Sequence, residues 1–351
     1  LNLLNRWFGP AGAHLIFLSA GLLLGFVPVA SAQSRAPAES NILAPGPVLD
    51  PDMGVWLKRV HEASRRRAYI GTFVVSAGGH MASARIWHVC DGEQQVERVE
   101  SLTGVPRSTF RRNDQVMTFL PQSKVVISEK RESLGLFPNL LSGADSAIAQ
   151  SYRVKLSGQE RVAGFEADVV QLQAQDRLRF GYRVWTEKKT GLVVKVQTLD
   201  TAGRVLEQAA FSELQLDVPV SMSKLTQMMN KTQGYEVETP ALTKTTAAAE
   251  GWAVKSVVSG FKPVSCNNRV VSAEAGTPPA PIMQCVFSDG LASVSLFIEE
   301  FDARRHAQPG AQAMGATHTL TRRMGDWWLT AVGEVPAPTL VIFAQGLERT
   351  R

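Results

Sequence analysis

Apolar and polar side chains alternate with a period of two through much of this chain, most clearly from Tyr182 to Leu214. Residues 182–186 alternate, 188–191 supply a turn, and Leu192, Val194 and Val196 fall on one face of the next strand. Asp200 to Gly203 is a second turn with a residue free to take positive φ, and 205–214 completes a three-stranded antiparallel meander. Upstream, Tyr69, Phe73 and Val75 alternate with Ile70, Thr72 and Val74, and Gly78-Gly79 turns the chain into a strand over 81–89. Short strands are predicted over 96–102, 108–112, 116–120, 124–128, 152–156 and 167–172. Residues 134–148 break this run and read as helical turns or a loop carrying an exposed apolar cluster. Sequential hairpins of this kind predict one large antiparallel sheet, curved enough to enclose something apolar.

A helix precedes the strands. Asp50 is placed to cap it with Pro51 at its first position, and Met53, Trp56, Leu57, Val60 and Ser64 follow helical spacing. Arg65-Arg66-Arg67 ends it, where cations complement the dipole. The triplet reads as a solvated helix end, with an anion-contacting patch as the functional alternative. After the meander, Met222, Leu225, Met228 and Met229 predict a short amphipathic helix packed between domains, and the polar stretch to about residue 250 reads as a linker. A second unit of about 100 residues then begins. A strand with Cys266 leads to a hairpin over 284–299 that turns at Asp289-Gly290, with Val294, Leu296 and Ile298 on one face. Residues 306–315 read as a loop and 327–333 as a strand, and Leu340, Phe343, Ala344 and Leu347 mark a terminal helix. The expected division is 50–220, a linker at 221–250, and 251–351.

The first residues change the compartment. Arg6 is the one charged side chain before the apolar run 15–27, Pro28 ends any helix, and Ala30-Ser31-Ala32 suits a signal peptidase. Residues 1–32 are therefore expected to be a signal peptide and 33–49, rich in Pro, Ala and Ser, a flexible lead-in to an exported periplasmic protein. The net charge of +5 suits an anionic partner and does not call for nucleic acid. Three cysteines gain weight in an oxidising compartment. Cys266 and Cys285 sit in strand-like segments joined by a loop containing Thr277-Pro-Pro-Ala-Pro281, so a disulfide between them is expected; Cys90 is left over, buried and inert or capping its strand.

Catalytic patterns are missing. There is no G-x-S-x-G, H-E-x-x-H, Walker A loop or G-x-G-x-x-G, and no C-x-x-C pair. His80 and His88 stand too far apart on one strand to share a metal locally. Glu299, Glu300 and Asp302 beside Arg304 and Arg305 read as solvated pairing. No enzyme activity and no cofactor are expected.

Five segments in order carry a resemblance: Tyr69-Ile-Gly-Thr-Phe73, Phe137-Pro-Asn-Leu-Leu141, the stretch 184–214, Phe287-Ser-Asp-Gly-Leu291 and Val332-Gly-Glu-Val-Pro336. Together they resemble the RseB/MucB family of periplasmic regulators of the envelope-stress sigma factor, over nearly all of the chain after the leader. The last two segments discriminate best, because the meander alone is shared with lipoprotein carriers of the LolA and LolB type. The resemblance implies a mainly β protein, with a large LolA-like antiparallel half-barrel and a smaller C-terminal α+β domain. It further implies that the protein binds the periplasmic domain of an RseA/MucA-like anti-sigma factor and protects it from proteolysis. Mislocalised lipoprotein or envelope lipid would release it. The alternative is a periplasmic lipoprotein or lipid carrier. Homodimerisation is left open.

The residues offered for these roles are specific. Phe73, Val75, Phe119 and Trp185 are expected to line the half-barrel and admit acyl chains, or else to close it as an ordinary core. One step of register would exchange every assignment. Phe287, Ser288, Asp289, Gly290, Trp327, Trp328 and Glu334 are the candidate partner-facing residues. Asp289-Gly290 also reads as a plain hairpin turn. Adjacent Trp327 and Trp328 point to opposite strand faces, so one is expected in the core and one exposed as an anchor.

Overall fold

The computed structural model describes residues 52–131, 137–138, 148–271, 280–306 and 308–350. The expected leader and lead-in, Asp50, Pro51, residues 139–141 of the second family segment and most of the loop between the two paired cysteines lie outside these. Helix α1 (Met53–Arg66) is capped by Asp52, whose carboxylate accepts the Val55 N–H at 2.9 Å. The cap is therefore Asp52, not Asp50, because this carboxylate reaches the amide three residues on. Trp56, Leu57, Val60, Ala63 and Ser64 are buried, the stripe that helical spacing predicts.

Eleven strands follow: β1 (Tyr69–Ala77), β2 (His80–Cys90), β3 (Gln95–Ser101), β4 (Ser108–Arg112), β5 (Gln115–Leu120), β6 (Val125–Lys130), β7 (Tyr152–Val162), β8 (Phe165–Ala174), β9 (Gly181–Glu187), β10 (Val193–Leu199) and β11 (Val205–Leu216). One turn of helix, α2 (Ile148–Ser151), leads into β7. With β12 (Glu236–Glu238) they form one sheet in the order β12-β6-β5-β4-β3-β2-β1-β11-β10-β9-β8-β7. Two meanders are thus joined by antiparallel pairing of β1 with β11, and the edge strands β12 and β7 leave the sheet open. Strand β1 alternates buried and half-buried along its length. On its buried face Phe73 packs against Phe137 at 5.3 Å and Phe211 at 6.1 Å between ring centroids. Phe137 and Ile148 are fully buried, so the described part of the expected exposed apolar cluster belongs to the core.

Helix α3 (Met222–Met229), capped by Ser221, departs from its expected place between domains. Met229 packs with Phe110, Met117, Phe119 and Val126 of the large sheet. The expected linker also contains strands. Strand β12 adds in parallel to β6, and β13 (Leu242–Lys244) pairs with β15 (Lys262–Val271), so the connection is stitched to both sheets.

The second sheet has the order β13-β15-β16-β17-β20-β19-β18, with β16 (Ala280–Ser288), β17 (Ser293–Glu300), β18 (Gly310–Met314), β19 (Thr317–Met324) and β20 (Trp327–Gly333). Helix α4 (Ala337–Gly346) lays Phe343 against Phe261 and Phe287 at 5.6 and 5.2 Å. Leu347 belongs not to this helix but to β21 (Leu347–Arg349), which pairs with β14 (Trp252–Val254). The expected loop at 306–315 holds β18, a neutral, fully exposed edge strand with no alternation to announce it. Cys266 and Cys285 face each other in register across β15 and β16 and are joined by a disulfide. Cys90 is a half-buried free thiol whose sulfur accepts the Gly92 N–H.

Candidate functional site

The two domains meet at the end of the large sheet that carries the β1–β2 turn and the start of β9. Gly315, in the turn between β18 and β19, sits against Gly78 closely enough that a Cβ there would lie 3.3 Å from its nitrogen. Further along, the segment before β9 supplies Arg179, a guanidinium with 1 % of its side chain exposed. Its Nε donates to Asp289 Oδ2 at 2.7 Å, across the domain boundary. Its other nitrogens reach Asp176 and the Ser259 carbonyl. Its plane covers the Phe261 ring at 5.0 Å. Gly260 lies at φ +87°, and a Cβ there would meet Arg179 Nη2 at 2.6 Å and Ser151 Oγ at 2.7 Å. Only glycine fits this position without displacing the guanidinium.

Asp289 takes four donors. Oδ1 accepts the Leu291 and Ala292 amides at 3.0 and 2.8 Å, which builds the hairpin turn. Oδ2 accepts Arg179 and the Tyr152 hydroxyl, the latter at 3.1 Å. One carboxylate therefore shapes its own turn and docks the neighbouring domain. Thr339 adds a hydrogen bond at 2.7 Å to the Leu178 carbonyl, and Leu291 packs into the large-sheet core. Burial pushes the Tyr152 and Tyr182 phenols well above their ordinary pKa, and the nearby acids add to this. Neither ionises at neutral pH. The arrangement has no nucleophile beside a base. A buried ion pair gives little net stability but penalises every docking geometry that separates its charges, so the seam sets domain orientation.

The sequence-predicted residues distribute unevenly. Phe73, Val75 and Trp185 belong to one buried cluster, and Phe119 lies in the separate cluster under α3, 5.4 Å from the Tyr235 ring. Trp185 pairs in register with Lys195, on the opposite sheet face from the Val75–Ala209–Val196–Val184 row. Its indole donates to Glu160 at 2.8 Å and lies under the Lys195 ammonium at 4.1 Å. All four are buried, three in one core and Phe119 in another. One cleft, of about 810 Å³, lies beside α3 and is lined by Gln94, Arg112, Met222, Ser223, Thr226, Gln227, Asn230 and Lys231. A smaller one holds Arg59, Arg66 and Arg67, with Arg67 paired to Asp217 at 2.9 Å.

Of the candidate partner-facing residues, Phe287 lies in the second core, while Asp289 and Glu334 are buried at the seam. Ser288 bonds within the turn to the Ala292 carbonyl and the Gly290 amide, and Gly290 takes φ +98°. Neither tryptophan is an exposed anchor. Trp328 is buried and stacks on His306 at 4.9 Å, whereas Trp327 is half-buried under Trp252 and Arg349. Arg179, Tyr152 and Glu207 escaped sequence reasoning. The one local cue was an arginine set between Leu178 and Phe180 at the mouth of a strand. Among the described residues no His, Cys, Asp and Glu cluster could hold a metal, and no helix is long and apolar enough to cross a membrane.

Comparison with known proteins matches both halves of the chain. Residues 52–229 match the model of the MucB/RseB N-terminal domain and 246–348 that of the MucB/RseB C-terminal domain. The sigma factor AlgU regulatory protein MucB of Pseudomonas aeruginosa is 26 % identical over 294 residues, covering 82 % of this chain and 88 % of its own. The sigma-E factor regulatory protein RseB of Escherichia coli K12 is 22 % identical over 301 residues, covering 85 % and 91 %. Among solved structures, MucB in complex with MucA(peri) superposes with a TM-score of 0.65 at 24 % identity, covering 86 % of this chain and all of that one. The Pseudomonas aeruginosa MucA/MucB complex gives 0.66 over the same shares.

Proposed function

Since the chain belongs to the MucB/RseB family, we propose that it is a periplasmic negative regulator that binds the periplasmic domain of a membrane anti-sigma factor. Both family domains occur in order, and that observation carries the reading. The named relatives are sigma-factor regulatory proteins, and two similar structures are of MucB with MucA. The family is one of regulators rather than enzymes, and the seam fits that role. A domain arrangement held by one buried clamp has two discrete alternatives, docked and undocked, and a partner that prefers one of them shifts the balance.

Bound in this way, the protein shields the anti-sigma factor from proteolysis, and lipoprotein acyl chains or envelope lipid release it. Lipid acts by favouring a domain arrangement with lower affinity for the partner. A test mixes the exported protein with the periplasmic segment of the anti-sigma factor from the same organism and digests the mixture with a protease that cleaves the free segment. Slower cleavage of the segment supports the reading, and unchanged cleavage removes the protective role. Adding lipidated peptide separates the sensor step: restored cleavage supports it, and continued protection eliminates it. A plain lipid carrier leaves the second domain and its seam without a purpose.

A further inference from the structure

Glu207 stands near the start of β11 with 1 % of its surface exposed. Its neighbours in register are Ala77 on β1 and Thr198 on β10, and the same row continues to Tyr182 on β9. None of these offers a countercharge. Both carboxyl oxygens are buried without a hydrogen-bond partner. The Ala316 N–H of the second domain favours the ionised form, and the Glu334 carboxylate of that domain opposes it more strongly as a like charge. The other charged groups of the seam, Arg179 and Asp289, are already committed to each other. His80, opposite Ala77 at the sheet's end, is exposed, and His318 lies against Phe180 at 5.7 Å.

We propose that Glu207 is a proton-operated latch between the two domains: carrying its proton it lets the seam close, and ionised it drives the seam toward opening. A carboxylate cannot stay unpaired in a dry interface facing a second one without a large penalty. Burial first, and Glu334 second, push the Glu207 pKa up to about 8. Opening returns the group to water and to an ordinary glutamate pKa, so the closed state holds more protons than the open one. Closure is therefore strongest in acid. It weakens by up to about tenfold per pH unit as pH rises toward the closed-state value, and levels off above it. Tyr182 remains protonated throughout, since burial holds its phenol far above this range. The latch does not depend on which partner the protein binds.

Hydrogen exchange on the full chain reads this directly. Protection at the seam, in peptides spanning 312–320 and 205–212, is corrected for intrinsic exchange and followed from about pH 6 to about pH 8. The wild type should lose protection by ten- to a hundredfold, about one decade per unit at most, while Glu207→Gln holds it constant. Glu334→Gln removes the like charge, moves the loss to lower pH and provides a second variant should Glu207→Gln fold poorly. Wild-type protection independent of pH, or a parallel loss in Glu207→Gln, overturns the latch.

Discussion

Asp289 and Arg179 lie 110 residues apart and are both nearly without solvent, so each is the main reason the other can be buried charged. Removing one partner strands the other, which typically costs about 3–5 kcal/mol. Asp289→Ala should lower the urea midpoint accordingly, and Arg179→Met combined with Asp289→Leu should recover much of the loss. A double variant as unstable as the sum of the singles would show that the two residues act separately. His88 gives a second residue-level prediction. It is buried, stacks on Tyr69 at 4.9 Å and shares a 2.6 Å hydrogen bond with the Arg67 carbonyl; burial lowers its pKa. The native imidazole stays neutral while the unfolded one takes a proton below about pH 6.5. Its contribution is thus complete above that pH and is lost as pH falls. In a Glu207→Gln background, where that buried carboxyl no longer titrates and cannot offset the effect, stability should decline between about pH 7 and about pH 5, and adding His88→Gln should flatten that decline. A decline of the same size in the variant would assign it to other groups.

At the scale of elements, much of the fold was legible because burial and alternation coincide. The strand from Tyr69, the first part of β11 and the helix from Met53 bury the face that their periodicity predicts, whereas β9 and β10 at the centre of the 182–214 meander bury residues on both faces. Strand β18 and the three-residue strands β12 and β13 were illegible: wholly exposed edge strands have no buried face to encode. For Trp185 alternation was no guide: β9 buries residues on both faces, so apolarity alone does not say which side is interior. Asp289-Gly290 could be read as a turn, but Asp289's second role depends on a guanidinium that chain separation hides. The disulfide belongs to this scale as well. It closes a loop with a sequence separation of 19 residues, and replacing both Cys266 and Cys285 with serine should cost the second domain about 3 kcal/mol. A thiol count on the unreduced, unfolded protein should find one, Cys90. Three free thiols would refute the pairing.

For the whole molecule, the account joins a large open sheet to a smaller domain through a desolvated seam and a connection stitched to both sheets. Such a joint restricts the domains to few arrangements, the property a binding switch needs. The most direct measurement is calorimetric titration of the chain from residue 33 onward with the periplasmic segment of an anti-sigma factor from the same organism. The account predicts saturable binding with a Kd of about 1 μM or tighter. It also predicts a loss of affinity in Asp289→Ala under conditions where that variant remains folded. No heat of binding at about 10 μM protein across two temperatures, with both components folded, would contradict it.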